Sequence, residues 1–166
     1  MNKLKIFDSG KHLKVLKIIV LSFLGLLLLW FTFDITGLKC GNTKIVTSAF
    51  IDEPIDFVFY LIFIASIFCF IFIDKVGKYS LSVFLLCWGA FQFSVYFKTG
   101  ESIAAYNKQF VDTHHIIAAS NDILVKDTYH IFLDILILLA LISVISFLIA
   151  KILSSKKKSN VKENEQ

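Results

Sequence analysis

Four uncharged, strongly apolar runs, residues 18–33, 57–73, 79–97 and 135–150, constrain this 166-residue chain more than anything else in it. Each is too long for a buried strand and close to the roughly 20 residues that a helix, rising about 1.5 Å per residue, needs to cross a ~30 Å hydrocarbon core. Backbone polar groups find no water inside a bilayer, so a segment of this kind must satisfy them internally as a helix. With 57% hydrophobic residues and a single proline, the chain is too apolar for a soluble domain. The expectation is an all-α, integral membrane four-helix bundle forming one domain over residues 1–153, with spans at about 15–33, 56–73, 79–97 and 130–152. Residues 154–166, SSKKKSNVKENEQ, read as a disordered, basic cytoplasmic tail.

Lysine placement sets the orientation, because translocating positive charge is what a membrane resists. Segments 1–17, 74–78 and 151–166 carry five, two and five lysines, whereas 34–56 and 98–134 carry two and three. The positive-inside rule then places both termini and the short 74–78 turn in the cytoplasm, and the two longer loops outside. An even number of spans satisfies this, and four fit. The lysine-rich start followed by an apolar run also resembles a signal peptide, but no small-residue cleavage site follows, and Lys39 beside Cys40 spoils a lipoprotein-type box. An uncleaved anchor is expected.

All seventeen basic residues are lysine. Without a guanidinium fork, bidentate phosphate recognition is missing, which argues against nucleic acid as a partner. Cys40, Cys69 and Cys87 show no pairing pattern, which disfavours a thiol oxidoreductase. Helix contacts within the bilayer are expected at small residues: Ala65 with Cys69, Gly89, Ala90 with Ser94, and the line Ala140, Ser143, Ser146, Ala150.

The outer loops differ. Residues 34–55 hold a β-prone run, KIVTSAF from Lys44 to Phe50, with Gly37 and Gly41 as turn residues, and fold either into a short hairpin or along the membrane surface. The third loop is too long for a plain connection. Ile103, Tyr106, Phe110, His114 and Ile117 follow helical spacing within it, predicting an extracytoplasmic amphipathic helix that ends or restarts near Ser120 or Asn121.

The chemistry-bearing residues gather at 112–134, which contains three of the four histidines. Asp127 is placed to cap the fourth span, and Asp127, His130 and Asp134 share a helix face that should point into the bundle, continued below by Ile137 or Leu138, Leu141 and Ile145. Three uses compete for Asp112, His114, His115, Asp127, His130 and Asp134. A divalent metal such as zinc, as cofactor, would be held by a set drawn from His114, His115, His130, Asp127 and Asp134, although the spacing matches no established zinc motif. A proton relay would pair His130 with Asp134 at i, i+4. The plainest use is local capping and pairing at the membrane boundary, with no cofactor.

The strings THHIIAAS at 113–120 and DTYHI at 127–131 resemble those of a group of small uncharacterised four-span bacterial membrane proteins, which are similar also around residues 30–41 and 74–79. The likeness covers most of the chain, and departs at Ala118, where those proteins carry proline. It implies four spans and no activity. The expected role is a non-enzymatic accessory or structural protein of a bacterial cell membrane, with the lipid bilayer and a protein partner or a second copy of the chain as partners. The alternative is a metal-dependent membrane enzyme, or an ion- or proton-coupled transporter using the outer His/Asp cluster.

Overall fold

The computed structural model describes residues 2–52, 54–117 and 123–163. It is mostly helical. The long helices are α1 (Asn2–Thr36), α3 (Pro54–Phe72), α4 (Asp74–Ser94) and α6 (Thr128–Glu163); α2 (Ala49–Asp52) is a single turn and α5 (Glu101–Gln109) a short helix in the third loop. A 3-10 turn, Val95–Phe97, extends α4. Four stretches are long and apolar enough to cross a membrane: Gly10–Thr36, Pro54–Phe72, Lys75–Phe97 and Thr128–Lys156. All four expected spans lie within them, apart from Ile73.

Several boundaries differ from those read in the sequence. Helix α6 runs to Glu163, where a disordered tail was expected from residue 154. Lysine is a good helix former, and no glycine or proline interrupts 154–163, so a helix already nucleated in the span continues. The third-loop helix stops at Gln109, so Phe110, His114 and Ile117 fall outside it. Ser120 and Asn121, where a break was expected, lie outside the described residues. The all-α expectation gives way at one place, an antiparallel hairpin of β1 (Leu38–Cys40) and β2 (Thr43–Val46), with Lys39 opposite Lys44 and Cys40 opposite Thr43. β-Branched Thr43, Ile45 and Val46 suit the pleated strand, and Gly41, at φ +61°, takes the turn conformation that a side chain would disfavour.

Packing follows steps of three or four residues. On α1 the buried apolar positions include Val20, Leu24, Leu27, Phe31 and Ile35; on α6 they include Leu133, Ile137, Ala140, Val144 and Phe147; Leu81, Leu85 and Trp88 do the same on α4. A repeat near 3.5 keeps one seam facing the neighbour and produces knobs-into-holes contact between nearly aligned helices. Outside this seam the spans expose Ile18, Leu29, Phe72, Val83, Leu86 and Ile142, apolar side chains that suit lipid. The small residues at the seams are Ser66, Ser82, Gly89, Ala140 and Ser143, whereas Ala65, Ala90, Ser94 and Ser146 face outward, against expectation. Four-residue spacing alone does not say which side of a helix meets a neighbour.

Two junctions fix the helix order. Trp30 of α1 and Tyr129 of α6 stack with ring centroids 5.5 Å apart. The Trp30 indole N–H donates to the Tyr129 carbonyl at 3.2 Å, and the Tyr129 hydroxyl donates to the Trp30 carbonyl at 3.4 Å. At the other end, only Ile73 separates α3 from α4, and the Gly77 amide donates to the Ile73 carbonyl at 2.8 Å. A Cβ on Gly77 would lie 2.1 Å from the Cys69 carbonyl oxygen and 2.5 Å from the Phe70 Cα. Glycine is required there so that the two backbones can touch.

Candidate functional site

The functional residues collect where α1 ends, α3 begins, α4 ends and α6 begins. Asp127 precedes α6 and is fully buried. Its Oδ1 accepts the His130 backbone N–H at 2.9 Å, a bond from the third helical residue to the capping side chain, and lies 2.6 Å from His130 Nδ1. Its Oδ2 accepts the Thr113 hydroxyl at 3.1 Å. Burial pushes the Asp127 carboxyl up, but the hydrogen bonds and charge of His130, with the Thr113 hydroxyl, outweigh it and hold the group below the ordinary aspartate value. With a carboxylate at that distance, the ring donates from Nδ1 to Asp127. The imidazole is held edge-on by Phe110, at 4.8 Å between centroids, and by Tyr129 at 5.2 Å.

Asp134 belongs to a different unit. Its Oδ2 accepts Lys126 Nζ at 2.7 Å and the Tyr96 hydroxyl at 3.1 Å. The Lys126 and Asp134 side chains are only 2% and 8% exposed. Lys126 also donates to the Gln92 carbonyl at 3.0 Å, and its ammonium sits 4.6 Å from the Tyr96 ring centroid. Asp134 Oδ1 is buried without a hydrogen-bond partner among the described residues. The His130–Asp134 pair that a proton relay would use is therefore not formed: each side chain takes another partner, one in the cap and one in the loop.

The other candidates stitch the third loop down. Among the described residues, His114 has the Thr128 hydroxyl as its ring partner, not another histidine or an acid. Its backbone N–H donates to the Lys44 carbonyl of β2, its carbonyl accepts the Thr128 N–H, and its Nδ1 lies 2.7 Å from the Thr128 hydroxyl. His115 Nε2 lies 2.7 Å from the Phe110 carbonyl. Buried Asn107 on α5 donates to the Ile123 carbonyl and accepts the Val125 N–H, which fixes the strand of loop leading to Lys126. Tyr106, also buried, has its phenol pushed up by burial and by the charges of Asp127 and Asp134. Asp112 is exposed. Among the described residues, no three His, Cys, Asp or Glu side chains are gathered to hold a metal ion.

As expected, Asp127, His130 and Asp134 turn toward the third loop, where they meet Thr113, Phe110 and Lys126. The continuation of that face does not stay interior: Ile137 is buried, but Leu138 and Ile145 are exposed and Leu141 is half-buried. At about 100° per residue, Asp134 lies roughly 100° round the helix from the centre of the Leu133–Ile137–Ala140–Val144 seam. The polar face is thus a flank, buried only at the N-terminal end of α6, where the third loop covers it.

Sequence reasoning missed three residues. Lys126 gave one signal, a lysine on the lysine-poor side of the membrane directly before a capping aspartate. Asp34 and Asp56 gave another, since each adjoins an uncharged run. Both aspartates, together with His130, line a cavity of about 50 Å³ bounded also by Thr47, Phe110, Thr113 and Asp127. The same three line a second cavity of about 150 Å³, walled by Phe31, Phe59, Trp88, Phe91 and Gln92.

Comparison of the chain with known protein families, with curated proteins and with solved structures finds no match in any of the three.

Proposed function

We propose that this is a multi-pass protein of a bacterial cytoplasmic membrane, with both termini and the α3–α4 junction inside, acting without catalysis as an accessory or structural membrane protein. One observation carries the reading: the side chains that looked most reactive are engaged in holding the third loop on the bundle. Asp127 caps α6 and binds Thr113, Asp134 binds Lys126, and His114 joins β2 to α6. The lysine asymmetry supports the orientation, which makes α5 an extracytoplasmic helix with Tyr106 and Asn107 turned toward the protein. A lipid bilayer surrounds the bundle, and a protein partner or second copy is the natural company for an accessory subunit.

The experiment is metal analysis of protein purified in mild detergent, with thermal unfolding of H114A, H115A and H130A. The reading expects lowered stability for H114A and H130A and no stoichiometric divalent metal. A stoichiometric metal that is lost in H130A and H114A would overturn it in favour of a metal-dependent enzyme or transporter.

A further inference from the structure

The hairpin that follows α1 carries both lysines of segment 34–56, and its register sets them against each other: Lys39 of β1 lies opposite Lys44 of β2. Residues directly opposite in an antiparallel pair share one face of the sheet with Cβ atoms about 4.5–5.5 Å apart, and like charges so placed repel. Nothing in the described chain relieves the repulsion. Among the described residues, the ion pairs are Lys126 with Asp134 and His130 with Asp127, and neither hairpin ammonium has a hydrogen bond.

Both lysines line a cavity of about 490 Å³ between the end of α1 and the returning strand, together with Gly37, Leu38, Val46 and Thr47. Gly37, at φ +77°, lets the two chain segments close behind it, since a Cβ there would stand 3.3 Å from the Ser48 backbone nitrogen. No carboxylate lines this cavity. Of its hydroxyls, Thr36 donates to the Thr32 carbonyl and Ser48 to the Ile35 carbonyl, whereas the Thr47 hydroxyl makes no hydrogen bond among the described residues. Two ammonium groups and one hydroxyl therefore border the space without an acceptor of their own.

Charge and size narrow what fits. The last carbonyls of α1 present the negative end of the helix dipole, equivalent to about half a unit charge. Two ammonium groups exceed that, and the surplus favours an anion. A phosphodiester carries a single negative charge and a phosphate monoester about −1.5 to −2, each with several acceptor oxygens. Lysine binds phosphate as a point charge and needs no guanidinium fork to do so. The volume lies within the range of small-molecule pockets, about 300–1,000 Å³. Leu38 and Val46 add apolar surface for whatever group the phosphate is attached to.

We infer that this cavity binds a phosphate group, with Lys39 and Lys44 supplying the charge and Thr47 a hydrogen bond. Two sources share that chemistry, a phospholipid headgroup and a soluble phosphate ester. The apolar stretch of α1 ends at Thr36 and β1 begins at Leu38, so the hairpin stands where a span would give way to headgroups. The inference is independent of the accessory role proposed above, because it uses the first loop and not the residues that clamp the third. The step is binding alone, with no bond made or broken.

The measurement is thermal unfolding of the full chain in maltoside micelles, which contain no phosphate. The titrants are dihexanoylphosphatidylglycerol as a lipid phosphate and glycerol phosphate as a soluble one, with glycerol, and sodium chloride at equal ionic strength, as controls. A saturable rise in Tm with at least one phosphate compound and with neither control is expected. The stronger response names the source, lipid or solute. Each lysine lost removes a charged hydrogen bond, so Kd should rise about tenfold in K39Q and in K44Q. Without titrant, both variants should unfold at the wild-type temperature or above it, since a repulsion has been removed. Absence of a saturable rise with either phosphate compound would overturn the inference, as would an equal rise with a control. So would an unchanged Kd in both variants, which places the phosphate on other lysines. A lowered Tm of both variants without titrant would overturn it too, by assigning the lysines to the end of α1.

Discussion

Replacing Lys126 by methionine removes one half of an ion pair from which water is nearly excluded, the side chains being 2% and 8% exposed. Breaking a buried pair on one side costs about 3–5 kcal/mol, because the remaining charge is stranded. Asp134 keeps the Tyr96 hydroxyl at 3.1 Å but already has one oxygen without a partner among the described residues. One neutral donor for two carboxylate oxygens is a poor substitute, so K126M should cost about 3 kcal/mol. For a chain of this size that lowers Tm by roughly 6–12 °C. Removing both charges is another matter, since a buried pair exchanged for apolar groups is often neutral. The double variant K126M/D134L should therefore lie within about 1.5 kcal/mol of the wild type, and a double-mutant cycle should show coupling of about 2 kcal/mol or more. Fluorescence-detected thermal unfolding in detergent micelles reads all four corners. A K126M shift below about 2 °C, or strictly additive single effects, would refute the claim that this pair anchors the third loop.

Gly77→Ala should destabilise the α3–α4 junction by about 3 kcal/mol, the upper end for overpacking, since the new methyl meets backbone 2.1 Å away and not a movable side chain; the same unfolding assay checks it. Asp127 carries a pH dependence: its carboxyl is held low, so its contribution is full above the unfolded value of about 3.9 and is lost as pH falls through the lower native value. Wild type should lose stability below about pH 4 more steeply than D127N. Alkaline phosphatase fused after Phe50 or Asn121 should be active and after Lys78 or Lys158 inactive, with activity at Lys158 showing an odd number of spans. A membrane-impermeant maleimide should label Cys40, exposed on β1, from outside, and spare Cys69 and Cys87 within spans; labelling of Cys87 in intact cells would place it in water, not lipid.

The spans were legible because the length of an uncharged run is a direct physical requirement of a bilayer, and no tertiary contact is needed to state it. Helix ends were less legible: Lys17 and Lys151 bound the first and fourth uncharged runs, but lysine does not stop a helix, so α1 and α6 run on through charged residues. The 74–78 turn was misplaced for a related reason. Gly77 is needed for close approach to Cys69 and Phe70, and a glycine serving a backbone contact inside the first turn of a helix looks, in sequence, the same as one serving a loop. The Asp127 cap could be read because its partner is three residues away. Lys126, Tyr96, Gln92 and Asp134 could not, because that unit is drawn from the end of α4, the third loop and the second turn of α6.

Asp134 shows why such long-range units arise here. It sits on the flank of the α6 seam, and on that flank the positions below it, Leu138 and Ile145, face outward. A bundle of four bare helices would leave the carboxylate at the hydrocarbon edge, where an ionised group without a partner costs a few kcal/mol. Lys126 and Tyr96 reach it instead, and Lys126 is held in place by Asn107 through Ile123 and Val125 on one side and by the Asp127 cap on the other. The dependence is mutual: the acid needs the loop to be tolerable at that depth, and the loop, with exposed Ile116, Ile117 and Ile123 and few buried side chains of its own, needs the acid to be held. The chamber beneath inherits its roof from the same arrangement, since Thr113 and Phe110 of the loop reach the smaller cavity that shares Asp34, Asp56 and His130 with the larger one. Loosening Lys126 should therefore be felt at both Asp134 and the two cavities that share Asp34, Asp56 and His130, although neither Lys126 nor Asp134 lines them.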